Sequence, residues 1–173
     1  PDSRVVERVV YGDVLAASRE GLVVVDLSTA APASSVRIHA DFAERGVRFV
    51  DAGISGGAAA AEAGTLTVMA GGDMAALELA APVLETFATR VYHLGAPGSG
   101  HTAKLLNNFL NGISLAATAE VMVAAKKANL DLAQFLDVVN HSSGVNFATL
   151  NRFPRIVEGD YLEGGLTSNL MAK

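Results

Sequence analysis

Apolar residues recur along the first half of the chain in blocks whose spacing alternates between helix and strand. Val5, Val6, Val9 and Val10 fall at helical spacing within residues 1–17, with Asp2 or Ser3 placed as a cap and Gly12 as a stop. Leu22-Val23-Val24-Val25, an uninterrupted run between Gly21 and Asp26, predicts a strand buried on both faces of a parallel sheet. Pro32 suits the first turn of the helix that should follow, and Val36, Ile38, His39, Phe42 and Ala43 give that helix an apolar side as far as Gly46. Val47 to Asp51 predicts the next strand, so the order strand, helix, strand implies a right-handed parallel crossover. Thr65 to Met69 reads as another strand, Asp73 to Thr89 as a helix broken or entered near Pro82, and Val91 to Leu94 as one more strand. Residues 1–95 thus predict one open α/β sheet.

The pattern then changes. After the glycine-rich joint Gly95-Ala96-Pro97-Gly98-Ser99-Gly100, only Gly112 interrupts the stretch from His101 to Ala128. That is roughly 42 Å of helix. Leu105, Leu106, Phe109, Leu110, Ile113, Leu115, Val121, Met122 and Val123 are too many for one stripe, so this helix should be buried by a partner domain or subunit. Asp131 starts another helix, to about Asn140, and short helices joined by polar turns follow His141-Ser142-Ser143-Gly144. Residues 96–173 read as an all-α part.

Composition narrows the function. The chain has 173 residues, 13 Lys and Arg against 18 Asp and Glu, and no basic stripe, which argues against a phosphate-reading nucleic-acid surface. Half the residues are hydrophobic and mean hydropathy is +0.34, against disorder. The absence of Cys removes disulfides, thiolate zinc sites and Cys nucleophiles, and suits a reducing compartment, so the expected location is cytoplasmic. No uninterrupted apolar run reaches the roughly 20 residues of a membrane span, and no signal pattern opens the chain, so no membrane partner is expected.

Chemistry-bearing residues concentrate in three places. On the long helix Lys104, Asn108 and Asn111 lie at i, i+4 and i+7 and form one polar stripe, with Asn107 at its edge. A Lys facing inward on an apolar helix needs a partner or a lowered pKa, which suits a proton donor, although on spacing alone a snorkelling Lys with interhelical Asn hydrogen bonds is the better fit. Asp51-Ala52-Gly53-Ile54-Ser55-Gly56-Gly57 follows a strand at the carboxyl edge where open α/β sheets bind ligands. Its bare Gly56 and Gly57 amides and Ser55 hydroxyl fit a carboxylate or phosphate, or a plain turn. Asp26-Leu27-Ser28-Thr29 offers a hydroxyl that touches a cofactor or caps the next helix. His39, His93, His101 and His141 show no metal-ligand spacing, and no G-x-S-x-G, Walker A or glycosidase carboxylate pair is present. The G-x-G-x-x-G fingerprint is absent as well, since residues 95–100 lack its spacing.

Three segments in this order resemble the β-hydroxyacid dehydrogenase family, which includes 3-hydroxyisobutyrate dehydrogenase and tartronate semialdehyde reductase. They are Asp51 to Gly57 with Gly64-Thr65-Leu66-Thr67-Val68-Met69-Ala70-Gly71-Gly72, then Gly98-Ser99-Gly100-His101-Thr102-Ala103-Lys104-Leu105-Leu106-Asn107-Asn108, and finally Leu170-Met171-Ala172-Lys173. The resemblance implies the C-terminal half of an α/β Rossmann domain for NAD or NADP over residues 1–95, without the first strands and glycine loop. An all-α domain entered by the long helix follows over residues 96–173. It further implies that the chain begins at the Pro after the fourth Rossmann strand, ends inside an L-M-x-K-D-L motif, and is inactive and poorly soluble by itself.

Residue by residue, the resemblance implies Lys104 as the catalytic general acid/base. Ser55, Gly56 and Gly57 match the loop for the substrate carboxylate, Asn108 a substrate hydrogen bond, and Pro1, Thr29 and Lys173 cofactor contacts. A homodimer or homotetramer acting on a small carboxylate substrate, a β-hydroxyacid of the 3-hydroxyisobutyrate or glycerate type, is expected. The family usually has Pro and Val where this chain has Gly53 and Ile54, from which a more flexible loop is expected. Asn107 stands where decarboxylating 6-phosphogluconate dehydrogenases carry a His, and Lys104 stands where imine reductases usually lack a Lys, so both relatives are disfavoured. A non-catalytic nucleotide-binding or oligomerising module of the same fold is the alternative.

Overall fold

A computed structural model describes residues 2–161, so Pro1 and Lys173, two of the expected cofactor contacts, lie outside the described residues. The described residues fall into two compact units divided after Leu106.

The first unit is a four-stranded sheet of order β1 (Val23–Asp26), β2 (Arg48–Ser55), β3 (Leu66–Gly71) and β4 (Ala88–His93). β1 and β2 are parallel, joined by α2 (Pro32–Ala43) with Pro32 in its first turn, as the strand-helix-strand pattern predicts. β2 and β3 are antiparallel across the short α3 (Gly57–Glu62), and β3 and β4 are parallel across α4 (Met74–Leu84), so the sheet is mixed. Alternation along β2 sorts its side chains. Val50, Ala52 and Ile54 pack with Leu77, Ala80 and Leu84 of α4, whereas Val47 and Phe49 pack with Ile38 and Phe42 of α2 and Val6 of α1 (Ser3–Val9). The second cluster is centred on an edge-to-face pair, Phe42 and Phe49, with ring centroids 5.8 Å apart.

Several boundaries differ from the sequence reading. Gly12 does not stop the first helix: after α1, which Asp2 caps, the chain continues as a π-helical turn over Val10–Val14. β1 is half-buried rather than buried on both faces, because among the described strands only β2 borders it. β2 runs on to Ser55 instead of ending at Asp51, since β3 pairs with it over residues 51–55. The helix expected to reach Thr89 ends at Leu84, where Thr86 donates its hydroxyl to the Val83 carbonyl and the chain turns into β4.

α5 (Ser99–Lys127) is the long helix. Its polar stripe breaks the apolar run, so a count of uninterrupted residues finds no span. By length and composition α5 is, among the described residues, the one helix long and apolar enough to cross a membrane, a test that the core helix of a soluble protein also passes. Its surplus apolar side chains are exposed, Leu106, Phe109 and Leu110 each by 60% or more. In the second unit Met122 packs with Leu136 of α6 (Leu132–Asn140), Ala148 of α7 (Phe147–Asn151) and Phe153 of α8 (Phe153–Val157). Asp131 caps α6, and Asn146 and Thr149 form a reciprocal capping box on α7.

Candidate functional site

The odd-numbered face of β2 carries Asp51, Gly53 and Ser55 in succession, because side chains two residues apart share a face. Asp51 is fully buried at the start. Its carboxylate accepts the backbone N–H of Gly98 at 2.7 Å through one oxygen and that of His101 at 2.8 Å through the other. These are N–H groups of the first turn of α5, which have no partner inside the helix, and a carboxylate also complements the helix dipole there. Gly53, next on this face, lies under the lysine: a Cβ built on it would stand 2.5 Å from Cβ and 2.9 Å from Cγ of Lys104. Ser55 ends the strand opposite Thr67.

Two further glycines let the helix touch the sheet backbone. A Cβ on Gly71 would stand 2.7 Å from the Gly100 nitrogen and 2.8 Å from an Asp51 carboxylate oxygen, and one on Gly100 would collide with the carbonyls of Asp51 and Met69. Nothing with a side chain fits between them. The expectation that Gly53 loosens a loop is corrected here, since Gly53 is a paired, buried strand residue opposite Met69 and its consequence is close approach.

Lys104 is half-buried, and burial lowers its pKa from the ordinary lysine value because the charged ammonium loses water. Asn108, one helical turn on, is also half-buried but belongs to the second unit, as does Asn111, while Asn107 is exposed. Beyond Ser55 the backbone turns through Gly56, with φ +136°, and Gly57, with φ +73°. A Cβ on Gly56 would also meet the Ala60 side chain at 2.5 Å, so this turn is closed to other residues.

Where β1 ends, Thr29 is half-buried and Ser28 donates its backbone N–H to Asp26 at 2.9 Å. Neither hydroxyl caps α2, whose N-cap is Ala31 and has no side-chain bond. Ser28 Oγ and Asp26 Oδ2 are buried without a hydrogen-bond partner among the described residues. His101 is fully buried, with Nδ1 2.8 Å from Ser35 Oγ and Nε2 3.9 Å from Asp26 Oδ2. The anchoring by Asp51 and the burial of His101 escape the sequence reading, which treats Asp51 as a strand end and His101 only as a failed metal ligand. Among the described residues there is no metal-holding cluster of His, Cys, Asp and Glu.

Two models of NAD-binding domains match the chain, one over the α/β sheet and one over the helical part that follows it. Residues 1–95 match the NAD binding domain of 6-phosphogluconate dehydrogenase, and residues 98–173 match the NAD-binding domain of NADP-dependent 3-hydroxyisobutyrate dehydrogenase. The chain belongs to the β-hydroxyacid dehydrogenase family. It is 40% identical to the NAD-dependent L-serine dehydrogenase of Pseudomonas aeruginosa, over all of this chain and 61% of that protein. Against the 2-(hydroxymethyl)glutarate dehydrogenase of Eubacterium barkeri it is 35% identical, over all of this chain and 58% of that protein. The structure of Mycobacterium tuberculosis 3-hydroxyisobutyrate dehydrogenase with L-serine superposes with a TM-score of 0.87 at 34% identity, covering 99% of this chain and 60% of that one. The chain thus spans about 60% of the length of these relatives.

Proposed function

We propose that the protein is part of an oxidoreductase that interconverts a small β-hydroxyacid and its semialdehyde with NAD or NADP, Lys104 being the general acid/base. The observation that carries this is the seating of Lys104, half-buried with a lowered pKa, on the strand face that ends in Ser55. A lysine so placed exchanges a proton at working pH more readily than a solvated one. In oxidation Nζ of Lys104 takes the proton of the substrate hydroxyl, and in reduction it returns that proton to the carbonyl oxygen. Ser55 Oγ and the Gly56 and Gly57 amides hold the substrate carboxylate, and Asn108 donates a hydrogen bond to the substrate. Hydride exchange at the substrate carbon is the chemistry the dinucleotide supplies when bound.

Residues 1–95 act as the C-terminal half of a Rossmann domain and residues 96–173 as part of a helical domain. Ser28 Oγ and Asp26 Oδ2, buried without a hydrogen-bond partner among the described residues at the carboxyl end of β1, fit a polar ligand at the edge where such sheets bind one. Thr29 on that edge, with Pro1 and Lys173, would hold the cofactor. A cytoplasmic homodimer or homotetramer is the form we assign.

The test is Lys104→Ala in the active enzyme. Turnover falls by about 10³-fold, as loss of a general acid/base gives, while cofactor affinity stays within about threefold. Undiminished turnover overturns the reading, and dinucleotide binding without turnover in the unsubstituted enzyme points instead to a non-catalytic module.

A further inference from the structure

His101 is fully buried three residues before Lys104 on the same side of α5, and the acid/base reading makes no use of it. Burying an imidazole costs free energy unless its ring nitrogens find partners. Two aspartates give it them. Asp26 and Asp51 are register partners across the parallel pair of β1 and β2, so their carboxylates stand side by side on one face of the sheet. Two like charges so placed each need donors. The first turn of α5 serves both. The backbone N–H groups of Gly98 and His101 satisfy Asp51, and Ser28 N–H satisfies Oδ1 of Asp26. Oδ2 of Asp26, buried without a hydrogen-bond partner among the described residues, has Nε2 of His101 at 3.9 Å. That distance exceeds a hydrogen bond, yet charge and dipole still attract across it in a buried site.

Nε2 also has no hydrogen-bond partner among the described residues, so Asp26 decides what it carries. A bare lone pair there would face a carboxylate oxygen and be repelled, whereas an N–H is attracted. On the other side of the ring, Nδ1 lies 2.8 Å from the hydroxyl of Ser35, itself buried on α2. One imidazole thus joins α5, α2 and the end of β1, and the residues that follow β1 are Leu27, Ser28 and Thr29.

We propose that His101 is a positioning residue: Nε2–H faces Asp26 and Nδ1 is held by Ser35, which sets the first turn of α5, and Lys104 with it, against the β1 edge assigned to the cofactor. The catalytic consequence rests on the acid/base reading of Lys104. The ring geometry does not, and is measurable without turnover.

The experiment uses the active enzyme carrying ring-¹⁵N histidine, with the His101 signals identified by their loss in His101→Gln. The expected spectrum has a proton on Nε2, and Asp26→Asn shifts that signal. In kinetics His101→Leu, which fills similar space without a donor or acceptor, lowers kcat about tenfold or more, as misplacing a catalytic group does. The cofactor KM stays nearly unchanged, because the turn after β1 keeps its own hydrogen bond from Ser28 to Asp26. His101→Gln, whose amide again offers an N–H to Asp26, recovers most of the loss. Action through Lys104 also makes the His101→Leu loss disappear in a Lys104→Ala background, where a general loss of structure would persist.

An Nε2 without a proton, or a signal unmoved by Asp26→Asn, overturns the proposal. So does full turnover in His101→Leu, a Gln variant as slow as the Leu variant, or a loss that persists without Lys104. If His101→Leu fails to fold, Ser35→Ala, which removes only the Nδ1 contact, takes its place in the same cycle. If Lys104→Ala keeps full turnover, the acid/base reading falls, and the nitrogen spectra alone decide the geometry.

Discussion

Lys104 is the residue at which local chemistry and tertiary placement meet. Because burial lowers its pKa, the folded protein binds fewer protons at this site than the unfolded chain does between the two values. Stability from this group is therefore fully present above the ordinary lysine pKa and is lost as pH falls through the folded value. Lys104→Met should raise the urea midpoint near neutral pH, and that gain should shrink as pH rises toward the lysine range; a pH-independent difference would contradict the burial account. The same sign predicts that kcat/KM for hydroxyacid oxidation rises with pH through the Lys104 pKa, whereas semialdehyde reduction falls through it, both limbs vanishing in Lys104→Ala. Gly56 carries a separate prediction. With φ +136° and Ala60 where its Cβ would go, Gly56→Ala should cost about 1–3 kcal/mol, seen as a lower thermal midpoint. The Lys-Asn stripe and the Ser-Gly-Gly turn were legible as residues. Their relation was not, because the contact between Gly53 and Lys104 joins positions 51 residues apart that no periodicity links.

At the scale of elements, the helices that announce their own caps are the most legible in the sequence. Asp2, Pro32 and Asp131 sit at helix starts as their chemistry requires. Asn146, whose side chain accepts from the Ala148 and Thr149 N–H groups, should cost about 1 kcal/mol when replaced by Ala, measured by denaturant unfolding of the second unit. Phe42→Ala, which empties the centre of the α1, α2 and β2 cluster, should cost about 3–5 kcal/mol by denaturant unfolding of the first unit. Elements whose limits come from a neighbour are not legible locally. Gly53 and Ser55 are poor strand formers, and only pairing with β3 carries β2 through them. Thr86 to Thr89 contains nothing that forbids helix, yet β3 draws Ala88 onward into the sheet.

For the whole molecule, the long helix sets the behaviour. Its first turns are pinned to the sheet, while Leu106, Phe109 and Leu110 are exposed. Exposed apolar surface of this kind is expected to self-associate. The 173-residue chain prepared alone should elute from size exclusion as concentration-dependent oligomers, and Phe109→Gln with Leu110→Gln should shift it toward the monomer; a monodisperse monomer before substitution would contradict this. By itself the sequence determined the alternation of strand and helix, the change to an all-α part near residue 96, and the residue types that mark the family, because periodicity, caps and short motifs are local properties of the chain. Tertiary structure alone decided that β2 and β3 run antiparallel, that Asp51 is the anchor of a helix nearly fifty residues away, and that a glycine underlies the lysine. Those outcomes depend on which backbone groups find partners and on how closely two backbones approach, and these are fixed only once distant segments pack.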